Sequence, residues 1–353
     1  MSVLVPEKYF DLICSRATTA IAIVGMTKNV GKTVTLNYLI RHCAQAGRVT
    51  GLVSAGYDGE RFDRLTLKDK PRIYAPAGSF VATAKACLDA AGAVMEPLYR
   101  SRISTPLGEV WIAVVKEAGL VELAGPGSVS GLKILIEWMS AQGAHPVLID
   151  GAINRQASAS PLVAGEVILA SGAAVAATLD DVIRKTLYRC ILLETPALED
   201  KRMERKAREA ICSAGAAVLH PSGSDWKVEL LSAPIPLMTG AGLKVRCEQE
   251  MSAVVLGGAL VDKLLIDLLA LPSPPLLVLR DATRFFVSAE LFYRYLNSGG
   301  VIRVLDPIKL CAVTLNPTDP LGKGYPPQEF LKLVGEALAP RPVFDLILKN
   351  KFS

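Results

Sequence analysis

Short apolar runs alternate with amphipathic helical patterns along most of this chain. The run at 20–24 is apolar throughout, and the segment 33–43 places Leu36, Leu39 and Ile40 on one helix face. Further strand patterns lie at 48–54, 72–75, 145–150, 165–170, 275–279 and 301–315, and further helical patterns lie at 80–90, 131–140, 178–193, 261–271 and 288–297. The runs 109–115 and 120–124 flank a tight turn and predict a hairpin or a bent strand pair. The alternation predicts an α/β fold with a mostly parallel sheet and flanking helices, followed by a second α/β portion.

A glycine-rich segment at 25–33 joins the first strand pattern to the first helical pattern, and we call it the glycine loop. It reads Gly-Met-Thr-Lys-Asn-Val-Gly-Lys-Thr. Glycines let a backbone approach phosphates, while successive N–H groups and a helix N-terminus attract their negative charge. At this spacing Lys32 reaches the β and γ phosphates, and Thr33 offers its hydroxyl to magnesium. The predicted nucleotide-binding residues are Gly25, Lys28, Asn29, Val30, Gly31, Lys32, Thr33 and Val34.

The glycine loop departs from the usual spacing, Gly-x-x-x-x-Gly-Lys-Ser/Thr, by one residue. Met26 occupies the first-glycine position, and Gly25 lies one residue earlier. The alternative is a chance Gly-Lys-Thr at a helix start, but the agreement of strand, loop and helix patterns favours phosphate binding. The sequence contains no Asn/Thr-Lys-x-Asp motif of the kind that recognises guanine. ATP is therefore the predicted nucleotide.

Acidic residues follow two of the strand patterns. A phosphoryl-transfer enzyme needs an acid that holds the magnesium shell, normally at the end of a strand beside the loop. Asp150 closes an apolar run and meets that requirement, with a turn-capping role as the alternative. Asp58 and Glu60 follow the second strand pattern, where they either contact the metal and attacking water or lie solvated in a turn. We predict Lys32, Asp150 and Asp58 as catalytic residues, and Thr33 with Asp150 as magnesium ligands.

Composition narrows the classes of protein that fit. Of 353 residues, 51% are hydrophobic and 21% charged, which allows a substantial core. No apolar run is long enough for a spanning helix, and the first residues lack the apolar core of a signal peptide, so we expect a cytoplasmic protein without a membrane partner. The net charge of +5 is modest, and no nucleic-acid partner is predicted. Seven scattered cysteines without a Cys-x-x-Cys pair indicate neither a zinc site nor a disulfide framework.

The composition changes from apolar to charged between residues 195 and 201, and Pro196 interrupts the local pattern. We therefore predict a nucleotide-binding domain at 1–195. The α/β portion at 196–353 is the predicted second part of the chain.

The glycine loop resembles the loop Gly-Thr-x-x-x-Val-Gly-Lys-Thr of dethiobiotin synthetase and its relatives, which include cobyrinate amidotransferases and MinD-like ATPases. The shared residues are Gly25, Val30, Gly31, Lys32 and Thr33, whereas the polar residue after the family's first glycine is missing. This resemblance implies a P-loop ATPase that uses Mg-ATP. It also implies that Lys28 adds positive charge at the phosphates, although its position is offset from the extra lysine of the MinD-like ATPases. A homodimer is one of the assemblies we expect.

Four segments of the chain resemble the P-loop subunit associated with cobalamin-dependent lysine 5,6-aminomutase and ornithine aminomutase. They are residues 25–36, 54–60, 148–155 and 314–317. The resemblance implies a reactivase, an ATPase that works with a MutS-like partner subunit. Such a protein uses nucleotide turnover to release damaged cobalamin from the inactivated aminomutase, its client. The loops around Asp58 and Asn154 would then report the γ-phosphate to the partner. The portion at 196–353 would face the partner or the client.

Two other functions stay open on the sequence. The dethiobiotin synthetase resemblance allows a ligase in which ATP activates a carboxylate and an amine captures it. The chain has no Cys-His pair at recognisable glutaminase spacing, which counts against an amidotransferase. The third alternative is a nucleotide-gated scaffold that binds ATP with little turnover.

Overall fold

The computed structural model describes residues 6–15, 20–56, 73–152, 160–161, 163–231, 253–319, 321–322, 324–347 and 350–352. The chain divides into two compact units. The first combines Met1–Arg189 with Lys309–Ser353, and the second is Cys190–Ile308. Both contain helices and largely parallel strands, so the predicted α/β class is confirmed.

The helices and strands follow in chain order. The helices are α1 (Pro6–Ser15), α2 (Lys32–Gln45), α3 (Lys85–Asp89), α4 (Val129–Ala141), α5 (Leu179–Leu193), α6 (Lys201–Ala214), α7 (Asp262–Leu269), α8 (Ala289–Asn297) and α9 (Pro327–Leu338). The strands are β1 (Ala20–Gly25), β2 (Gly51–Ser54), β3 (Ile73–Ala75), β4 (Phe80–Ala84), β5 (Val94–Thr105), β6 (Gly108–Glu117), β7 (Gly119–Val121), β8 (Val147–Ala152), β9 (Glu166–Gly172), β10 (Ala216–Ser222), β11 (Asp225–Leu230), β12 (Ala253–Leu256), β13 (Leu260–Val261), β14 (Leu276–Asp281), β15 (Phe285–Phe286), β16 (Val301–Asp306), β17 (Leu310–Asn316), β18 (Val343–Asp345) and β19 (Asn350–Phe352). Within the described ranges, none of these helices combines the length and apolar character needed to cross a bilayer.

A ten-stranded sheet forms the centre of the first unit, in the order β19-β18-β17-β9-β1-β8-β2-β4-β6-β5. The strands from β18 to β4 run parallel to one another. At one edge β19 pairs antiparallel with β18, and at the other β6 pairs antiparallel with both β4 and β5. Parallel neighbours end at the same edge of a sheet. The residues that follow β17, β9, β1, β8 and β2 therefore lie along one edge.

Strand β1 lies in the middle of this sheet, and all of its residues are buried. Its isoleucines, Ile21 and Ile23, belong to an apolar cluster with Leu36 and Leu39 of α2 and Phe10 of α1. The Phe10 ring lies 5.0 Å from that of Phe344 on strand β18. The end of β1 is thus anchored in the core before the glycine loop begins.

The second unit has a five-stranded sheet in the order β11-β10-β12-β14-β16. Strands β12, β14 and β16 are parallel, and β10 is antiparallel to both of its neighbours. Helix α6 packs Met203 and Ala207 against Leu219 and Val255 of this sheet. Its opposite side is charged, as expected for an amphipathic surface helix.

The units differ from the predicted division into 1–195 and 196–353. Residues Lys309–Ser353 belong to the first unit, because β17 pairs in parallel with β9 and extends the first sheet. A pairing between segments so far apart in the chain leaves no mark in local composition, which is why the predicted boundary kept this segment with the second portion.

Two local predictions were wrong. The segment 80–90 was expected to be one helix, but its first half is β4, between β2 and β6, and only Lys85–Asp89 is helical. Of the hairpin and the bent strand pair expected from 109–115 and 120–124, the hairpin does not form, since β6 pairs with β5 and β4 while β7 pairs with β3. In both places pairing with other strands decided the structure.

The N-terminus of α6 provides a test of local stability. Asp200 is its N-cap and accepts hydrogen bonds from the N–H groups of Met203 at 2.9 Å and Arg202 at 2.8 Å, and from the Trp226 indole at 3.1 Å. These donors, the Met203 N–H above all, hold the pKa of Asp200 below its ordinary value. We expect Asp200→Ala to lower the free energy of unfolding by about 1 kcal/mol at neutral pH.

The same carboxylate predicts a pH dependence. A depressed folded-state pKa stabilises the protein above the unfolded pKa of about 4, and this contribution is lost as the pH falls through the folded value. Urea denaturation from pH 7 to pH 3 should therefore show the difference between wild type and Asp200→Ala shrinking with acid. Asp200→Asn, which keeps a capping oxygen without a charge, should show a weaker pH dependence than wild type, and an identical dependence would contradict the assignment.

Candidate functional site

The glycine loop connects the end of β1 to the start of α2, so the predicted order of strand, loop and helix is present. Gly25 is the last residue of β1, and the N–H of Met26 donates to the carbonyl of Ala170 on β9 at 3.0 Å. A side chain at Gly25 would place its Cβ 3.1 Å from Cγ2 of Val30, which shows how tightly the loop turns back on itself. The loop therefore starts from a fixed point at the centre of the sheet.

The loop backbone takes two left-handed conformations, at Asn29 with φ of 65° and at Gly31 with φ of 84°. Gly31 is the N-cap residue of α2 and offers no side-chain cap to the helix. Side chains cap α4, α6 and α8, whereas α3, α7 and α9 resemble α2 in having no side-chain cap. The first-turn N–H groups of α2 have no intrahelical acceptors, and they form with the loop a favourable place for an anion.

The predicted binding residues differ in exposure. Thr27, Lys28 and Asn29 lie exposed at the tip of the loop, and Lys32 and Thr33 are half-buried at its end. Val30 is buried and packs inside the turn, so its side chain shapes the loop and its backbone remains the group available to a ligand. Val34 is 37% exposed on the first turn of α2. The structure thus brings the whole predicted set together at one edge of the sheet.

Lys32 and Asp150 meet at this edge. The register pairs Ile23 of β1 with Asp150 of β8, and Nζ of Lys32 lies 3.2 Å from Oδ1 of Asp150. Their side chains are 22% and 18% exposed, so the pair is largely shielded from solvent. Oδ1 of Asp150 has no directed hydrogen bond from a described residue, so the contact is mainly electrostatic. Each residue thus compensates the charge of the other. A triphosphate would replace Asp150 as the partner of Lys32, and a metal ion would replace Lys32 as the partner of Asp150.

The backbone at Asp150 is held by the neighbouring strand β2. Its carbonyl accepts from the N–H of Ala55 at 3.0 Å and from the hydroxyl of Ser54 at 3.2 Å. A Cβ on Gly125 would lie 1.7 Å from the carbonyl oxygen of Ser54, so only glycine fits where the chain passes this strand end. Asp150 is therefore presented by a well-anchored strand.

The donor set suits magnesium. This ion prefers oxygen ligands at about 2.0–2.1 Å, and most of them are waters and phosphates with one or two protein groups. Two oxygen donors flank Lys32. The hydroxyl belongs to Thr33, the next residue in the chain, and the carboxylate belongs to Asp150, which contacts Lys32 in the fold. The buried and undirected Oδ1 of Asp150 is the kind of group that a metal-bound water would satisfy. Thr33 and Asp150 thus fit the predicted magnesium site.

Asn316 also belongs to this site, although the sequence suggested no chemistry for it. It is the last residue of β17, and its Nδ2 donates to the carbonyl of Asn29 at 2.8 Å. Below it, the hydroxyls of Thr314 on β17 and Thr35 on α2 lie 2.8 Å apart in the core. The residues at 314–317 do not indicate this role locally, because Asn316 and its partner Asn29 are 287 residues apart in the sequence.

Some predicted residues lie outside the described part of the chain. These are Asp58, Glu60, Asn154 and Arg155, which come after β2 and β8 in sequence. Their roles stay predictions. What the structure establishes is that the strands preceding them, β2 and β8, are parallel neighbours whose ends lie at the edge of the glycine loop.

The loop geometry predicts a difference between the glycines that flank α2. Gly31 and Gly47 both have positive φ, at 84° and 68°, but a Cβ on Gly31 would lie 3.2 Å from Cβ of Asn316, whereas one on Gly47 meets nothing within 4 Å. Gly47→Ala should lower the free energy of unfolding by about 1 kcal/mol through backbone strain alone. Gly31→Ala should lower it by about 2 kcal/mol because Asn316 must also shift. Equal losses in urea denaturation would contradict this packing.

Comparisons with known proteins do not assign the chain to a family. No protein-family model matches the chain, and neither a curated protein nor a solved structure does so. The resemblances noted from the sequence therefore stay predictions. The geometry of the described residues bears on the nucleotide site, whereas the partner and client rest on the sequence resemblance alone.

Proposed function

We propose that this chain is a P-loop ATPase that binds Mg-ATP at the glycine loop and acts as a subunit of a reactivating factor for a cobalamin-dependent amino-acid aminomutase. The observation that carries the ATP site is the ion pair of Lys32 with Asp150, 3.2 Å apart beside the start of α2, which has no side-chain cap. A lysine, an acid and the first-turn N–H groups of a helix are what a metal-bound triphosphate needs.

Binding of the triphosphate exchanges the partners of the two charged residues. The phosphates offer Lys32 more negative charge than one carboxylate does, so its ammonium group turns from Asp150 to the β and γ phosphates. Asp150 would then be free to hold a magnesium ion through its water shell, together with the Thr33 hydroxyl. When bound there, the ion would supply positive charge that offsets the negative charge developing on the phosphates.

The exchange also supplies a signal. The Lys32–Asp150 pair links α2 with β8, and the chain continues from β8 into the segment that contains Asn154 and Arg155. Loss of the pair on binding, and its return after hydrolysis and phosphate release, would uncouple α2 from β8 and couple them again. A reactivase requires such coupling, because ATP turnover must shift the conformational equilibrium of a bound client.

The first test concerns the ATP site. Lys32→Ala should lower the rate of ATP hydrolysis by about 10²–10³-fold, because the loop loses the positive charge that stabilises the developing phosphate anion. Asp150→Asn should weaken the dependence of turnover on magnesium. Lys133→Ala is a matched control, since Lys133 is exposed on α4 and pairs with Glu137 at 3.7 Å. Hydrolysis that survives Lys32→Ala would contradict the site.

The second test concerns the client. ATP hydrolysis should rise at least about tenfold when a MutS-like partner subunit and an inactivated cobalamin-dependent aminomutase are added together, and Lys32→Ala should remove the stimulation. Release of damaged cobalamin, measured by its absorbance, should require ATP. Turnover that appears with a small carboxylic acid and an amine, and not with protein, would favour the ligase. Tight ATP binding without turnover under any condition would favour the scaffold.

A further inference from the structure

Asn316 contacts the glycine loop from the far end of the chain, 287 residues from its partner Asn29. Nδ2 of its amide donates to the carbonyl of Asn29 at 2.8 Å, and Oδ1 accepts from the N–H of Thr318 at 3.2 Å. Because both ends of the amide have backbone partners, the direction of the side chain is fixed. The nitrogen faces the loop and the oxygen faces its own turn.

This bond acts on the peptide that follows Asn29. Asn29 has a φ of 65°, a left-handed conformation that asparagine adopts more readily than other residues with a side chain, and that glycine adopts at still lower cost. The carbonyl of Asn29 and the N–H of Val30 belong to one planar trans peptide, so they point in opposite directions. By holding the carbonyl, Asn316 also sets the direction of the Val30 N–H. A flipped peptide would present an oxygen, not a donor, to a phosphate.

The position of Asn316 is itself fixed by packing. A Cβ on Gly172, at the end of β9, would lie 2.2 Å from the carbonyl oxygen of Asn316, so the two strand ends touch. On the other side, a Cβ on Gly31 would lie 3.2 Å from Cβ of Asn316. The buried contact between Thr314 and Thr35 ties the same strand to α2 two residues earlier. Asn316 therefore reaches the loop from a rigid base.

We propose that Asn316 is a positioning residue for the nucleotide, one that keeps the peptide between Asn29 and Val30 turned so that its N–H serves the phosphates. This inference rests on the proposed function, since it concerns the same loop. It assigns the role to the phosphate part of the ligand, because the bond from Nδ2 acts on the loop backbone, whose N–H groups serve phosphates.

The test compares two ligands that share phosphates and differ in the nucleoside. Dissociation constants of Mg-ATP and of magnesium tripolyphosphate are measured by calorimetry on the full chain, for wild type, Asn316→Ala and Asn37→Ala. Asn316→Ala should weaken both ligands by the same factor, about five- to tenfold, as expected for one lost hydrogen bond. Asn37→Ala is the control, because Asn37 on α2 likewise bonds a backbone group, the N–H of Tyr74 at 3.0 Å. It should leave both constants unchanged.

The outcomes separate this inference from the proposed function. A loss confined to ATP would mean that Asn316 contacts the nucleoside, and unchanged constants for both ligands would mean that the bond has no role; either overturns the inference alone. A wild type that binds neither ligand overturns the proposed function as well. If Asn316→Ala does not fold by circular dichroism, Asn316→Asp keeps the acceptor for Thr318, removes the donor to Asn29, and should weaken both ligands at least as much.

A second variant tests the backbone part of the inference. Glycine adopts positive φ without strain, so in an Asn29→Gly background the loop needs Asn316 less. The factor lost on Asn316→Ala should therefore be smaller in Asn29→Gly than in wild type. An equal or larger factor would show that Asn316 does not act by holding this conformation.

Discussion

The parallel pairing of β1 with β8 and β9 is the constraint on which the site depends. It aligns the ends of three buried strands at one edge, and its register sets Asp150 opposite Ile23, beside the start of α2. Lys32 then reaches the acid across 3.2 Å. A shift of two residues in the register of β8 would move the carboxylate by about 6–7 Å and leave the lysine without its partner. The hydrophobic burial of β1 and β8 opposes such a shift, because it would carry polar residues into the core.

Charge compensation follows from this arrangement. A half-buried lysine and a half-buried aspartate are unfavourable separately and acceptable as a pair. The pair also suits the proposed ligand, since a metal-bound triphosphate would offer a charge of the opposite sign to each residue. The loop backbone contributes in the same direction, because α2 starts at a glycine with no side-chain cap, whereas α6 in the second unit is closed by Asp200.

How much was predictable depended on how local each feature is. The glycine loop, the strand before it and the helix after it occupy adjacent residues, and they were predicted correctly as structure. The apolar ending of β8 likewise pointed to Asp150. The segment 80–90 was not predictable, because a short apolar run suits a strand or a helix. Its first half became β4 because it pairs with β2 on one side and β6 on the other. The same reason applies to β7, which pairs with β3 instead of its neighbour in the chain.

The sequence by itself therefore determined the α/β class, the strand, glycine loop and helix in their order, and the acid that lies beside the loop. Only the tertiary structure decided that Lys309–Ser353 returns to the first sheet and that Asn316 holds the carbonyl of Asn29. The physical reason is the range of the interactions. Backbone propensity, glycine conformation and hydrophobic period act over a few residues and are visible in the sequence, whereas the pairing of β17 with β9 depends on which buried surfaces meet after the chain has folded.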